Sequence, residues 1–155
     1  MKKHHYEVRM EWTGNDGEGT KSYRSYRRDH EITSGNKSLI PGSSDPAIRG
    51  DTARYIPEEL LVGSVSSCHM LWYLHFCAVN GVVVLDYRDR AAGEMAENAD
   101  GSGEFVRVVL RPEIRIAVGG DTAKANALHE EAHRFCFIAR SVNFPVEIEA
   151  AVTAG

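Results

Sequence analysis

Between Pro57 and Gly81 the chain reads PEELLVGSVSSCHMLWYLHFCAVNG, and after Glu59 this stretch holds no Asp, Glu, Lys or Arg. A helix that long without charge has no wide water-facing side, so the stretch predicts a helix buried at the centre of the fold. Its ends are marked. Pro57 suits a first helical turn, Glu58 and Glu59 sit where the positive end of the helix dipole favours acid, and Asn80-Gly81 is a stop signal. Ser64, Ser66, Ser67, His69 and His75 interrupt the apolar run too often for a membrane span and suit close packing instead. In the middle lies Cys68, whose default role is that of a small apolar core residue.

With 155 residues, 43% of them hydrophobic and 26% charged, the chain is long enough to bury a core, and one domain over 1–155 is expected. The net charge of −4 and the scattered Lys and Arg residues give no basic field, which argues against nucleic acid as a partner. Met1-Lys2-Lys3-His4-His5 leads directly into a patterned strand rather than an apolar signal segment, so a cytoplasmic protein is expected. Three cysteines at wide spacing make neither a CxxC site nor a secreted disulfide framework. In a reducing compartment a pair that does bond is catalytic or redox-sensing more often than structural.

Residues 6–12 alternate, with Tyr6, Val8, Met10 and Trp12 against Glu7, Arg9 and Glu11, which predicts a half-buried strand. A turn at Gly14-Asn15-Asp16-Gly17 and Gly19 offers 19–27 as its hairpin partner, with a short strand at 30–33 to follow. Residues 34–56 form a long, weakly periodic connection carrying Lys37, Arg49 and Arg54; connections of that length are more often functional than idle. After the central helix, strands are expected from Val82 to Tyr87, with an interrupted continuation to Glu97, and from Glu104 to Val118. In the latter, Val106, Val108, Leu110, Ile114, Ile116 and Val118 share one face, and Pro112 marks a bulge or an edge. Gly119-Gly120-Asp121-Thr122 caps a second helix with Leu128, Ala132, Phe135 and Ala139 at helical spacing. A strand from Pro145 to Val152 ends the pattern. The fold class is therefore α+β, with helices packed on mainly antiparallel sheets.

PEELL followed by SSCHM, together with Cys136 in HEEAHRFCFIARSVNFPV, resembles the OsmC/Ohr family of thiol-dependent hydroperoxide reductases, from Trp12-Thr13-Gly14 to the terminal PVEIEA. The resemblance implies an OsmC-like fold in which sheets wrap around long central helices in an intertwined homodimer. It also implies a peroxidase that reduces organic hydroperoxides to alcohols. Cys68 is then the nucleophile that becomes a sulfenic acid, and Cys136 the thiol that resolves it to a Cys68–Cys136 disulfide. A dithiol reductant, a lipoyl protein or similar, reopens the pair. No cofactor or metal is implied, and no membrane.

A thiol of ordinary pKa ~8.5 in a buried place is mostly protonated, so Cys68 needs a cation, and the family uses an Arg held by a Glu. Glu58 matches that Glu by its place in PEE. Ten residues at about 1.5 Å put it about 15 Å along the axis and roughly 80° round from Cys68, so a site using both must bend the helix or draw on a second chain. The alternative role of Glu58 is to stabilise the helix start. Ohr-type members carry the Arg after the first strand, where this chain has Asn15-Asp16; OsmC-type members carry it before PEE, where Arg49 in AIRGD is the best match. Arg54 and Arg27 are the other candidates. The family's Cys-Pro context at the second cysteine is replaced here by CFIARS. Cys77, half a turn round from Cys68, belongs to the core.

Two further readings stand beside this one. The same fold with altered chemistry binds a small apolar ligand at the dimer interface, in a pocket lined by Met70, Leu71, Trp72 and Phe135. His129-Glu130-Glu131-Ala132-His133 matches H-E-x-x-H, the zinc-hydrolase helix motif, with Glu147 or Glu149 as a third ligand; His129, His133, Cys136 and Cys68 are a second possible zinc set. Otherwise His129 and His133 belong on the helix's polar flank, and His69 and His75 on buried polar partners.

Overall fold

The computed structural model describes Met1–Gly155, which divide into two compact units, Met1–Leu60 and Leu61–Gly155. In the first unit, β1 (Arg9–Trp12), β2 (His30–Thr33) and β3 (Ile40–Gly42) form an antiparallel sheet in that order. Residues 19–27 are therefore not the hairpin partner of β1. Asn15 Oδ1 accepts the N–H groups of Gly17 and Gly19 at 3.0 Å each, and Ser25 Oγ donates to Gly19 O at 2.8 Å. These bonds close the segment into loops, and β1 pairs with β2 instead. All four residues of β1 are exposed, so the expected buried face of 6–12 is absent within this chain.

Helix α1 spans Pro57–Val79 and begins as its sequence dictates. Glu59 Oε2 accepts the Ile56 N–H at 3.2 Å, the reach-back half of a capping box. At the other end Gly81, at φ 75°, lets the Val82 N–H reach Cys77 O at 2.9 Å and the Gly81 N–H reach Ala78 O at 3.5 Å, a Schellman closure. The buried residues of α1 are Val65, His69, Tyr73 and Cys77, a single i, i+4 stripe. The expectation of a helix buried on all sides is not met by one chain. By length and composition alone α1 is apolar enough to cross a membrane. Its stripe, however, packs on protein.

In the second unit two three-stranded sheets lie beneath that stripe. β4 (Val84–Asp89), β7 (Pro112–Ile116) and β9 (Ala151–Ala154) form one, with β7 central; β5 (Ala92–Glu97), β6 (Gly103–Leu110) and β8 (Val146–Ile148) form the other, with β6 central. The single long strand expected from Glu104 to Val118 is two strands in different sheets. The break falls at Arg111, whose N–H goes to Asp89 Oδ1 at 2.7 Å instead of to a ladder partner. The last segment breaks in step: β8 runs parallel to β6, β9 parallel to β7, and Arg111 Nε meets Glu149 Oε2 at 3.1 Å between them. Tyr73 and Cys77 of α1 pack with Ile114, Ile116 and the second helix, while Val65 packs with Val108 and Leu110. Cys68 lies on α1 between these two cores.

Helix α2 spans Thr122–Phe135, capped by Asp121, whose carboxylate accepts the Lys124 N–H at 2.9 Å. It stops at Phe135, and Ala139 lies in a short 3-10 turn, Ala139–Ser141, rather than in the helix.

Candidate active site

Cys68 and Cys136 come together although they are far apart in the sequence. Cys68 is half-buried, and Cys136, the residue that caps the C-terminal end of α2, is fully buried. Both are free thiols, and Cys68 is among the neighbours that act on the Cys136 sulfur. The chain coils round the Cys136 sulfur: its N–H returns to His133 O at 3.3 Å, the Arg140 N–H reaches Cys136 O at 3.0 Å, and the Ala139 N–H points at Sγ at 3.4 Å. Burial pushes the Cys136 thiol up to about 11, opposed by the Ala139 N–H and reinforced by Cys68. Cys77 is core, as its position half a turn away implies, and burial raises its thiol too.

Aromatic groups flank the pair. Trp72, one turn beyond Cys68, lies 5.3 Å from Phe135, 5.6 Å from Phe137 and 5.7 Å from Phe76, centroid to centroid. Phe135 and Phe137 are the sequence neighbours of Cys136. Leu71, Trp72 and His75 line an open apolar depression of about 320 Å³ on the same helix. Met70 is half-buried and does not line it.

The histidines differ from expectation. His129 is 5% exposed rather than on a polar flank, and His75 is exposed rather than buried. His69 Nε2 and His129 Nδ1 are 3.0 Å apart, and the His129 ring stacks on Tyr73 at 3.9 Å. Burial above all holds both imidazoles neutral: His69 is lowered to about 4, with His133 adding to the effect and Asp89 opposing it, and His129 is lowered to about 3, with His69 adding. His69 Nδ1, His129 Nε2 and His133 Nδ1 are buried without partners. No group of three or more His, Cys, Asp or Glu is placed to hold a metal ion. Neither the H-E-x-x-H residues nor the Cys/His set is gathered into such a group; His129 Nδ1 lies against His69, and Glu149 pairs with Arg111. His69 does meet a buried polar partner, as its place in α1 suggests, but the sequence does not single out His129 as that partner. Its signal was there: His69 shares the i, i+4 stripe of Val65, Tyr73 and Cys77, and His129 sits four residues after the buried Ala125.

In the first unit the three candidate arginines separate. Arg27 pairs with Asp16 at 3.1 Å and also with Asp29, and Arg54 lies 3.7 Å from both Asp29 and Asp51. Asp29 is buried, so both cations serve to neutralise it. Arg49 is exposed and takes part in no ion pair, and at φ 70° it is the one non-glycine residue with positive φ. A strained backbone is held there by Asp45, whose side chain accepts from Ala47 N and whose carbonyl accepts from Gly50 N at 3.0 Å. Glu58 is half-buried and forms no ion pair; the capping bond belongs to Glu59. In the second unit Arg88, Arg107, Arg111 and Arg134 are each paired with a carboxylate.

An α+β chain with a long central helix, and a half-exposed thiol on it facing a second, buried thiol, defines a class of thiol-bearing proteins. Residues 50–151 match the sequence model of the OsmC-like protein family, and the chain belongs to that family. It is similar to the OsmC-like protein VCA0330 of Vibrio cholerae O1 biovar eltor, with 30% identity, a TM-score of 0.86, and coverage of 96% of this chain and 100% of that one. It is also similar to the protein YmaD of Bacillus subtilis (strain 168), 26% identical over 100% of this chain and 99% of the relative. An organic hydroperoxide resistance protein of Elizabethkingia anophelis shares the fold at 17% identity and a TM-score of 0.68, over 99% of this chain and 100% of that one.

Proposed function

We propose that this chain is a thiol-dependent peroxidase that reduces organic hydroperoxides to alcohols. The observation that carries the reading is the pairing of an accessible Cys68 with a buried Cys136. The Cys68 thiolate attacks the terminal oxygen of ROOH, the O–O bond breaks, and the alkoxide takes a proton to leave as ROH. Cys68 is left as a sulfenic acid. Cys136 then attacks that sulfur, an S–S bond forms, and water leaves. A dithiol such as a protein-bound lipoamide reduces the disulfide, which suits a cytoplasmic, reducing setting. Trp72, Phe135 and Phe137 favour a hydroperoxide with an apolar part to bury over hydrogen peroxide.

The thiolate needs a cation. Arg88, Arg107, Arg111 and Arg134 are committed to carboxylates, and we place the cation on a second copy of the chain. Arg49 is the arginine we assign, because it alone of the three candidates is unpaired. Glu58, about 15 Å up an unbroken helix from Cys68, serves a site only across such an interface. The working form is therefore a homodimer. The exposed apolar positions Leu71 and Val79 on α1, and Tyr6, Val8, Met10 and Trp12 at and before β1, are what a second copy covers.

The test is mass spectrometry after one equivalent of cumene hydroperoxide, followed by turnover with a dithiol. A Cys68–Cys136 crosslink and thiol-dependent peroxide consumption, both lost in Cys68→Ser, are expected. A sulfenic acid that never becomes the crosslink removes Cys136 from the cycle. No reaction at Cys68 favours the second reading, a family member that binds a small apolar ligand beside the aromatic cluster without chemistry.

A further inference from the structure

Every position of positive φ in this chain is a glycine except Arg49, which stands at φ 70° and ψ 27°. That region is disfavoured by roughly a factor of ten for a residue with a Cβ, so the surrounding bonds must hold Arg49 there. They come chiefly from one residue. Asp45 Oδ1 accepts the Ala47 N–H at 2.7 Å, and the Asp45 carbonyl accepts the Ile48 N–H at 2.9 Å and the Gly50 N–H at 3.0 Å. Asp45 thus binds the chain on both sides of Arg49, whose own N–H goes to Pro46 O at 3.1 Å. Ser44 Oγ donates to Ile48 O at 3.3 Å, and Gly50 closes so tightly on this corner that a Cβ on it would stand 1.5 Å from Ser44 O. The base of the loop is fixed as well. Ser43 Oγ accepts the Asp51 N–H at 3.0 Å and donates to Asp29 Oδ1 at 3.3 Å, and Asp29 is the buried carboxylate that Arg27 and Arg54 neutralise. Two of the three candidate arginines therefore anchor the loop, and the third is exposed on it. Glycine takes φ 70° without strain, so an arginine at this position is explained by its guanidinium and not by its backbone.

We propose that Asp45 is a positioning residue: its carboxylate and carbonyl lock Arg49 in the left-handed conformation and so present the guanidinium, outward from the loop, to the thiolate of a second copy. The proposal rests on the reading above, in which Arg49 is the cation that assists Cys68. Asp45 acts through Arg49 alone, and its carboxylate works as a hydrogen-bond acceptor rather than as a charge. An amide oxygen in the same place does the same work, because Asn makes the same side-chain bond to the backbone N–H two residues on.

The experiment measures dithiol-dependent turnover of cumene hydroperoxide by the full-length protein with Asp45, with Asp45→Ala and with Asp45→Asn, each in the wild-type and the Arg49→Gly background. Asp45 is exposed, so neither substitution threatens the core. Without the side-chain acceptor the right-handed preference of Arg49 reasserts itself, and D45A is expected to turn over about threefold or more slowly than wild type. D45N keeps the acceptor and is expected to stay close to wild type. In the R49G background D45A is expected to cause no further loss, since nothing is left for it to position. Full turnover in D45A overturns the proposal, as does a D45N protein as slow as D45A, or a D45A loss that persists undiminished beside R49G. Trypsin gives a readout that needs no peroxide. Cleavage after Arg49 requires the loop to open, so D45A is expected to be cut there about threefold or more faster than wild type and D45N at the wild-type rate. Equal cleavage of all three proteins also overturns the proposal. Wild type inert to peroxide, with that cleavage pattern intact, defeats the proposed function alone; R49G as active as wild type defeats the assignment of Arg49 and the role of Asp45 with it.

Discussion

Acidification to pH 5 should cost this protein a large part of its stability through two residues. His69 and His129 are buried, hydrogen-bonded to one another at 3.0 Å, and held down to about 4 and about 3 from an ordinary 6.5. Desolvation is the main cause for both, so the folded state refuses protons that the unfolded chain accepts. Stability from this pair is complete above pH 6.5, where both states leave the rings neutral. It is lost as pH falls from there toward the folded values, because the unfolded chain then binds up to two more protons. At pH 5 both rings are still neutral in the fold, so the coupling between them does not enter. The loss is about 1.5 pH units for each of two groups at 1.36 kcal/mol per unit, or about 4 kcal/mol. Domains have only about 5–15 kcal/mol in total. The assay is urea denaturation at pH 7 and pH 5, at one protein concentration, for wild type and for His69→Gln/His129→Gln, in which neither position titrates. Wild type should lose about 4 kcal/mol more than the double variant over that interval, whatever the variant's stability at pH 7. The same pH dependence in both proteins refutes the argument, since the remaining histidines and carboxylates are common to them.

Two backbone positions give further predictions. Arg49→Gly removes a side chain from φ 70°, so the melting temperature should hold or rise slightly while thiol-dependent turnover falls at least about tenfold. Full activity in R49G removes Arg49 from the site; Arg27 and Arg54 variants, by contrast, should destabilise because they leave the buried Asp29 charge uncovered. Gly81→Ala forces a Cβ onto φ 75° at the Schellman closure of α1, and a loss of about 1 kcal/mol, a few degrees by thermal melt, is expected; an unchanged melt would mean that α1 ends differently in solution.

What the sequence shows, it shows through local chemistry. The bounds of α1 are legible because Pro57, Glu59 and Gly81 act within a turn of the helix ends, and Asp121 does the same for α2. The two cysteines are legible through their surrounding motifs. Features settled by distant groups are not. Nothing near Arg111 says that Asp89 will take its N–H and split one apolar strand between two sheets. The turn-rich segment after β1 resembles the start of a hairpin, whereas Asn15 and Ser25 spend it on loops and leave β1 to pair with β2. The sequence places His69 on a buried polar partner but His129 on a polar flank, because a lone His carries no sign of which residue it meets, and here the two are sixty residues apart.

The largest difference between expectation and structure concerns burial, and it is itself informative. A chargeless run through α1 and a clean alternation before Trp12 are both patterns of residues meant to leave water, yet one chain buries only a single stripe of α1 and none of β1. Apolar surface left in water is unfavourable in proportion to its area, so two such elements in one protein imply a cover that the chain does not provide for itself. If a second copy is that cover, the misfit and the missing cation have one cause. The sulfur at the middle of α1 lies on the element whose outer faces are unfinished, and a site completed across that boundary obtains its guanidinium and its dryness in the same event. On that reading periodicity in this sequence records the environment of an assembled protein, while the contacts of a single chain record only the part that Tyr73, His69 and Val65 make on their own.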